Sequence, residues 1–367
     1  MQYNWQHKEW AKFDYNAAVI DQIILEFALE IGEIKGMIEN LSEDIRQETI
    51  LQFMIDEALK TSEIEGEYYS RQDIISSIKN RIDVTSALSI KDKNARGIGE
   101  LMVLVHNDYK AVLSEQLIKD WHQTLFGNSK RIQSGHYRQG EEPMVIVSGR
   151  YGKEQIHFEA PPSNRLAEEM RQFVEWYQQF DVTVLDIKGI LIKTAVTHLY
   201  FESIHPFEDG NGRIGRALAE KCLGESFQRP LIMSLSSMIE KDKKKYYNAL
   251  KTAQKSLEIT DWIWYFSQTI LESQKLTKKI IGFTIKKAHF LDQKKSFLNE
   301  RQYKVVLKIF DQGIAGFDGG MTARKYISIT KISKATATRD LIDLVEKQIF
   351  TSIGAGRSVR YELNFSS

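Results

Sequence analysis

All five prolines, Pro143, Pro161, Pro162, Pro206 and Pro230, fall between positions 143 and 230, leaving more than 130 proline-free residues on either side. Proline removes a helix hydrogen bond and clashes with the preceding turn, so helices can run unbroken in both flanks. From Asp14 onward Ile20, Ile23, Ile24, Phe27, Ile31, Ile34 and Ile38 recur at three- and four-residue spacing, and Leu51, Ile55 and Leu59 continue the pattern after a polar break. That spacing places one apolar stripe along each helix. It predicts an N-terminal helical module over residues 1–95, with Trp5 and Trp10 capping its core.

The middle of the chain reads as mainly α with one exception. Met144 to Val147 and Gln155 to Phe158 are short β-prone runs around Ser148-Gly-Arg-Tyr-Gly152, the pattern of a β-hairpin. Two strands alone are marginal in water, so this hairpin must lean on helices and can offer its edge to a partner strand. Helices are predicted over Leu166 to Phe180, Val184 to Ser203, Gly212 to Leu223 and Lys241 to Leu257, followed by a lysine-rich connecting helix from Leu271 to Lys295. We place a boundary near 290, giving a core over 96–290 and a C-terminal domain over 291–367. In that last domain come a helix from Arg301 to Phe310, a short helix near Thr322 to Ser328, a helix from Ser333 to Gln348 and two β-like runs about Gly354 and Gly356. That order is the order of a winged helix.

Length and charge narrow the function. A chain of 367 residues suggests two or three domains, and 42% hydrophobic with 27% charged residues is a globular composition. Fifty Lys and Arg against 49 Asp and Glu leave a charge of +1, so any attraction to nucleic acid or acidic lipid must be local. The single Cys222 allows no internal disulfide, and the eight histidines show no zinc-site spacing. The polar, aromatic N-terminus is no signal peptide and no run of about 18 apolar residues occurs, so a cytoplasmic protein without membrane contact is expected.

The densest chemistry lies in His205-Pro-Phe-Glu-Asp-Gly-Asn-Gly-Arg-Ile-Gly-Arg216. Pro206 ends the preceding helix, while Gly210 and Gly212 let the backbone take positive φ and approach a ligand just before the next helix. Free N–H groups at such a helix start, together with the helix dipole, suit a phosphate. Arg213 and Arg216, three apart, can flank the same mouth with forked donors, so a polyphosphate fits better than a monophosphate. Asp209 beside phosphates is a typical Mg²⁺ ligand, and His205 is placed to take a proton from an attacking hydroxyl. Gly210-x-Gly212-x-x-Gly215 formally matches the dinucleotide fingerprint, but that motif must follow a strand and Ile190 to Tyr200 reads as a helix. A helix start with solvated arginines is the bland alternative.

These twelve residues resemble the complete HxFx(D/E)GNGRxxR signature of the Fic family, protein adenylyltransferases that move AMP from ATP onto protein hydroxyls. The resemblance implies a mainly α, Fic-type core with a hairpin flap that docks the target. It implies His205 as general base toward a Ser, Thr or Tyr hydroxyl, Asp209 as the Mg²⁺ ligand, and Phe207 packed inward. Gly210, Asn211 and Gly212 would cradle phosphates, Arg213 contact them and Arg216 hold the γ-phosphate. A relative acting as a kinase carries Lys where this chain has Gly212, which favours AMP transfer over phosphoryl transfer. Tyr246 and Tyr247 fall where the family lines its adenine pocket, although a core or surface aromatic pair reads equally well.

Upstream, Thr61-Ser-Glu-Ile-Glu65-Gly66 contains a formal capping box, Ser62-x-x-Glu65. It also resembles the family's inhibitory motif, (S/T)xxxE(G/N), which implies that Glu65 pairs with Arg216 and spoils ATP alignment. Were that pair buried, deleting Arg216 would strand a carboxylate at about 3–5 kcal/mol. WQHKEW and the helices after it resemble the helical domain often found ahead of Fic cores. The tail from Lys294 carries 13 Lys and Arg against 7 Asp and Glu. With Thr336, Thr338 and Arg339 on its third helix and Arg357 and Arg360 at its wing, duplex DNA and a second copy of the chain are partners such a module admits. Three readings therefore stand: an autoinhibited protein adenylyltransferase that releases pyrophosphate, a DNA-binding regulator with a nucleotide-sensing core, and an enzyme removing AMP at the same site.

Overall fold

A computed structural model describes residues 2–83, 88–127, 129–141, 143–148, 155–181, 184–315, 317 and 319–365. The chain divides into two compact units, one of residues 1–33 and 50–275, the other of 34–49 and 276–367. The first contains most of α1 (Asp21–Glu39) and α2 (Glu43–Ile64), then α3 (Arg71–Ile82), α4 (Lys93–Asn107) and α5 (Glu115–Phe126). The hairpin β1 (Val145–Ser148) and β2 (Gln155–Glu159) follows, with α6 (Leu166–Gln178), α7 (Ile187–Ile204), α8 (Asn211–Ser226), α9 (Leu235–Lys241), α10 (Lys243–Ala253) and the start of α11 (Thr260–Lys294). β1 and β2 pair antiparallel with a register shift between Ile146 and Val147, and the turn residues 149–154 lie outside the described residues.

α7 and α8 form the centre of this unit. Every residue of α7 from Ile190 to Ile204 is buried, as is nearly all of α8. A helix apolar on all sides belongs in a core. One face of α7 packs Tyr200, Phe201 and Ile204 with Trp121, Phe173 and Phe207, while Ile190, Leu191, Ala195 and Leu199 pack with Trp262, Ile263 and Phe266. Ile55, Ile74 and Ile78 of α2 and α3, within the segment expected as an N-terminal helical module over 1–95, pack in the same cluster as Ile98, Trp121 and Phe207. The two N-terminal tryptophans, expected to cap that module, pack elsewhere. Trp5 packs on Phe158 of the hairpin and donates to the Glu159 carbonyl at 2.6 Å, and Trp10 lies edge-on to Tyr200 of α7. The helix expected from Lys241 to Leu257 is α10, which starts at Lys243 behind Asp242, whose side chain accepts from the Lys245 N–H and caps it, and which ends at Ala253; the short α9 precedes it.

In the second unit α12 (Glu300–Phe310), α13 (Ala323–Thr330), α14 (Lys334–Glu346) and the hairpin β3 (Phe350–Ile353) and β4 (Arg360–Leu363) follow in order. Met321, just before α13, bridges to Tyr361 of β4. Phe290, Val305, Val306, Phe310, Tyr326, Leu341 and Phe350 form its core. Buried Asp340 accepts from the Tyr326 hydroxyl at 2.9 Å and pairs with Arg301 at 3.1 Å, tying α12, α13 and α14 together. The two compact units divide at residues 275 and 276, inside α11, where the lysine pattern suggested a domain boundary near 290; Ile281 and Phe290 of that helix are buried. Among the described residues no helix is long and apolar enough to cross a membrane.

Candidate active site

Six residues link α7 to α8, and hydrogen bonds from several elements hold their backbone. α7 stops at His205, which takes the left-handed conformation (φ 50°, ψ 59°) and whose N–H still reaches the Phe201 carbonyl at 3.0 Å. Arg138 clamps the turn: its Nε donates to the His205 carbonyl at 2.9 Å, Nη2 to Pro161 at 2.6 Å, and its own N–H to Pro206 at 2.9 Å. α8 starts at Gly210, with φ 82° and no room for a Cβ against Phe126. Phe207 is fully buried and stacks on His122, ring centres 3.9 Å apart. The His122 ring accepts from the Gly135 N–H at its Nδ1 (2.9 Å), so its Nε2 donates to the Asp209 carbonyl (3.2 Å). Burial pushes His122 down to about 4, which keeps that neutral tautomer.

Asn211 departs from the role the resemblance implied. Its amide oxygen accepts from the Phe207 N–H at 2.9 Å and its amide nitrogen donates to the Phe207 carbonyl at 2.8 Å. The buried side chain closes the loop on itself, one amide N–H and the amide oxygen both engaged by Phe207. Gly210, Gly212, Asp209 and His205 do face a common cavity of about 510 Å³. Burial first, then the charge of Arg138, lowers His205 to about 4, so its imidazole is a neutral proton acceptor.

The end of α2 reaches into that cavity through Glu65. Arg216, on the second turn of α8, donates through Nε to the Thr61 hydroxyl (2.7 Å) and through Nη2 to the Thr61 carbonyl (3.0 Å) and to Glu65 (2.7 Å). The Glu65 carboxylate lies directly on Gly212, where any Cβ would collide with it. Burial opposes its ionisation, but the neighbouring Arg216, with Arg213 and His205, carries the pKa below the ordinary carboxylate value. Gly66, at φ 82°, ends α2. Ser62 therefore caps no helix start; it bonds back to the Ala58 carbonyl at 2.8 Å near the helix end. Arg213 is likewise taken, by Glu67 and by Asp209 at 3.4 Å, and lies over the Phe126 ring. Glu67, Arg138 and His122 went unnoticed in the sequence. The alternation Glu63, Glu65, Glu67 against two arginines was a signal for the first, whereas the other two come together only through the fold.

Tyr246 and Tyr247 line the same cavity in different ways. Tyr246 is buried, with its hydroxyl 2.8 Å from His198 Nε2, while Tyr247 is partly exposed beside Glu65. Lys244, Asn248 and Lys251 extend the wall along α10, and Ile146 and Phe158 bring the hairpin to its rim. The N-terminal segment braces the arrangement from behind: Asn4 donates to the Ser203 hydroxyl at 2.9 Å and to the Gln254 carbonyl at 2.8 Å. The Asp209 side chain, 54% exposed, stands at the cavity. Among the described residues no group of three His, Cys, Asp or Glu could hold a metal alone. One carboxylate completed by phosphate oxygens and water is a common Mg²⁺ arrangement, and the donor set present fits it.

Residues 112–223, from just before α5 to near the end of α8, match the Fic/DOC family model. Residues 112–223 therefore resemble a Fic/DOC domain. Residues 3–84 match a domain of unknown function, DUF4172. A probable protein adenylyltransferase from Aquifex aeolicus is 28% identical over 162 residues, 44% of this chain and 43% of that one. The protein adenylyltransferase Fic of Drosophila erecta is 29% identical over 136 residues, 37% of this chain and 24% of that one. The matches thus span less than half the length of these curated relatives. A crystal structure of a Fic family protein from Desulfovibrio desulfuricans superposes over 93% of this chain and 95% of that one, with TM-score 0.52 and 19% identity, which shows a shared fold. The glycine string of this segment follows a helix rather than a strand, so the dinucleotide fingerprint has no part here.

Proposed function

We propose that this chain is an autoinhibited protein adenylyltransferase that transfers AMP from ATP to a Ser, Thr or Tyr hydroxyl of a protein, itself included. The observation that carries this reading is the Glu65 carboxylate lying on Gly212 and paired with Arg216 at 2.7 Å, because a side-chain anion already sits where the helix start and a buried guanidinium attract one. ATP would lay its phosphates along Gly210 to Gly212 and onto Arg213 and Arg216, with the base toward Tyr247 and the wall completed by Tyr246. Asp209 would hold Mg²⁺, which when bound offsets phosphate charge. The neutral His205 takes the proton of the hydroxyl as its oxygen attacks the α-phosphorus; the bond to the β-phosphate oxygen breaks and pyrophosphate leaves. With Glu65 in place Arg216 cannot receive the γ-phosphate, so the resting enzyme is slow. Replacing Glu65 by Gly is expected to raise incorporation of labelled AMP at least tenfold, equivalent to about 1.4 kcal/mol of barrier, and His205→Ala to abolish it. No labelling by the Glu65→Gly protein would sink the reading. Removal of AMP would be a hydrolysis at the same site, a water oxygen attacking the phosphorus while the protein hydroxyl leaves with a proton and AMP is released, supported by the partly exposed Glu65 carboxylate in the cavity as a holder of water; an AMP-modified protein incubated with the Glu65-intact chain separates the two reactions.

The element order of the second unit supports a winged-helix reading. The exposed Lys334, Thr338 and Arg339 on α14 favour duplex DNA as its partner, with Thr336 engaged near the helix start by Ser333. Arg360 is exposed on β4, and the side chain of Arg357 lies outside the described residues. A DNA shift that weakens with salt and is lost in Arg339→Ala supports this reading.

A further inference from the structure

α7 carries one acid, buried, that none of the roles above uses. Glu202 precedes His205 by one turn, is 4% exposed and lines the cavity. Its Oε2 lies 3.8 Å from His205 Nδ1, and both Nδ1 and Glu202 Oε1 are buried without a hydrogen-bond partner. Orphaned buried polar atoms are rare in folded proteins, and here two belong to neighbouring side chains on one helix end. The surroundings make room for them. A Cβ on Gly215 of α8 would collide with Glu202 Oε1 and come within 3.2 Å of His198, the residue one turn earlier on α7. The third glycine of the Gly210-x-Gly212-x-x-Gly215 string therefore serves the Glu202 carboxyl group.

The imidazole chemistry says what that group is for. A neutral histidine carries one ring proton, and Nε2 can accept from a hydroxyl only when that proton is on Nδ1. The Nδ1–H then needs an acceptor in the protein interior, and Glu202 offers two beside the ring, its main-chain carbonyl and its carboxyl group. We propose that Glu202 is a positioning residue for His205: its carboxyl oxygen accepts the Nδ1–H, fixing the tautomer that leaves Nε2 open to the target hydroxyl. The inference rests on the reading of His205 as general base. In the reacting complex the hydroxyl loses one proton, Nε2 gains it, and the Nδ1–H stays on Glu202, which neither gains nor loses a proton. The 3.8 Å separation closes to a hydrogen bond as the ring becomes cationic.

Burial raises Glu202 to about 8, Arg216 on α8 opposing and Glu65 on α2 adding to the shift. Tyr246 of α10, His198 of α7 and the Arg138 clamp are the other titratable or charged groups about the pair. A protonated Glu202 is a poorer acceptor, so transfer should gain a limb near pH 8.

Two measurements on the full chain test the proposal. With the histidine side chains labelled in ¹⁵N, and His205 assigned by the signal lost in His205→Ala, the wild-type ring at pH 9 is expected in the Nδ1–H tautomer. Glu202→Ala should move it toward Nε2–H. A wild-type Nε2–H ring, or one indifferent to Glu202→Ala, overturns the proposal whatever reaction the site performs. Second, in the Glu65→Gly background, Glu202→Ala should lower kcat for AMP incorporation about 10- to 100-fold while the ATP KM changes less than about twofold. The isosteric Glu202→Gln guards against misfolding; its amide oxygen still accepts, so it should recover part of kcat and lose the limb near pH 8. Equal kcat and an unchanged pH profile in both variants also overturn it. If Glu65→Gly transfers no AMP at all, the proposed activity fails while the tautomer measurement still decides the role of Glu202.

Discussion

Arg216 and Glu65 are unequal partners: the guanidinium side chain is 2% exposed and the carboxylate 27%. Removing the arginine leaves a carboxylate that can rotate toward water, so Arg216→Ala should cost about 1–3 kcal/mol in urea unfolding rather than the roughly 3–5 kcal/mol of a stranded buried charge. Removing Thr61 tests the other half of the clamp. Thr61→Val takes the only hydrogen bond of Arg216 Nε but keeps the carbonyl and Glu65 contacts, so AMP incorporation should rise less than in Glu65→Gly. Asn211 separates loop closure from phosphate binding. Its amide makes two hydrogen bonds to the Phe207 backbone, so Asn211→Ala should lower stability by about 1–3 kcal/mol even without nucleotide, read by the same urea curves. A residue that only touched phosphate would leave the unliganded protein unchanged. The signature made His205, Asp209, the glycines and both arginines legible in the sequence. It could not show that Asn211 faces inward, because an Asn beside two glycines suits a phosphate cradle and an Asx-type loop equally well.

At the scale of elements, α2 and α8 meet through a second pair below the Arg216 clamp. Glu57, one turn before Thr61, and Glu220, one turn after Arg216, line one small cavity with His106 of α4. The Glu57 carboxylate accepts from the Ser236 N–H at 3.1 Å, yet burial raises it to about 7; burial and the nearby Glu57 raise Glu220 to about 8. Both values lie above the ordinary 4.5, so between about pH 5 and 8 the folded state holds protons that the unfolded chain has released, and stability falls as pH rises. Glu202 has the same sign. The depressed His122, His198 and His205 oppose it only below their ordinary 6.5, which leaves the carboxyls to set the slope above that. The melting temperature should drop between pH 6.5 and 8, and Glu220→Gln should recover about 2–4 °C of it at pH 8. A Glu220→Gln protein with the wild-type pH slope would remove this pair from the account. The apolar periodicity of both helices was readable in the sequence, but a lone Glu on a mixed helix looks like a solvated face. Direction was equally hidden in Ser62-x-x-Glu65, which as a string fits a helix start and in the fold lies at a helix end closed by Gly66.

Across the whole molecule, the division within α11 carries a consequence for stability. Lys275, Lys278, Lys279, Lys286 and Lys287 make the helix look like a solvated connector, but lysine stems can cover apolar surface while Ile281 and Phe290 are buried between them. Residues 34–49 belong to the second unit too, though nothing in the repeating isoleucines of α1 marks a change there. Phe290 tests where the second unit begins. Its ring lies 5.4 Å from Phe310 in that unit's core, so Phe290→Ala should cost about 3–5 kcal/mol, as large aromatic truncations in cores do. Two units of this kind need not unfold together. In calorimetry of the full chain the substitution should lower one transition by roughly 10 °C or more and leave the other, which ATP binding at the Glu65→Gly site would shift, where it was. A boundary near 290 instead makes Phe290 part of a connector, for which the same substitution changes neither transition.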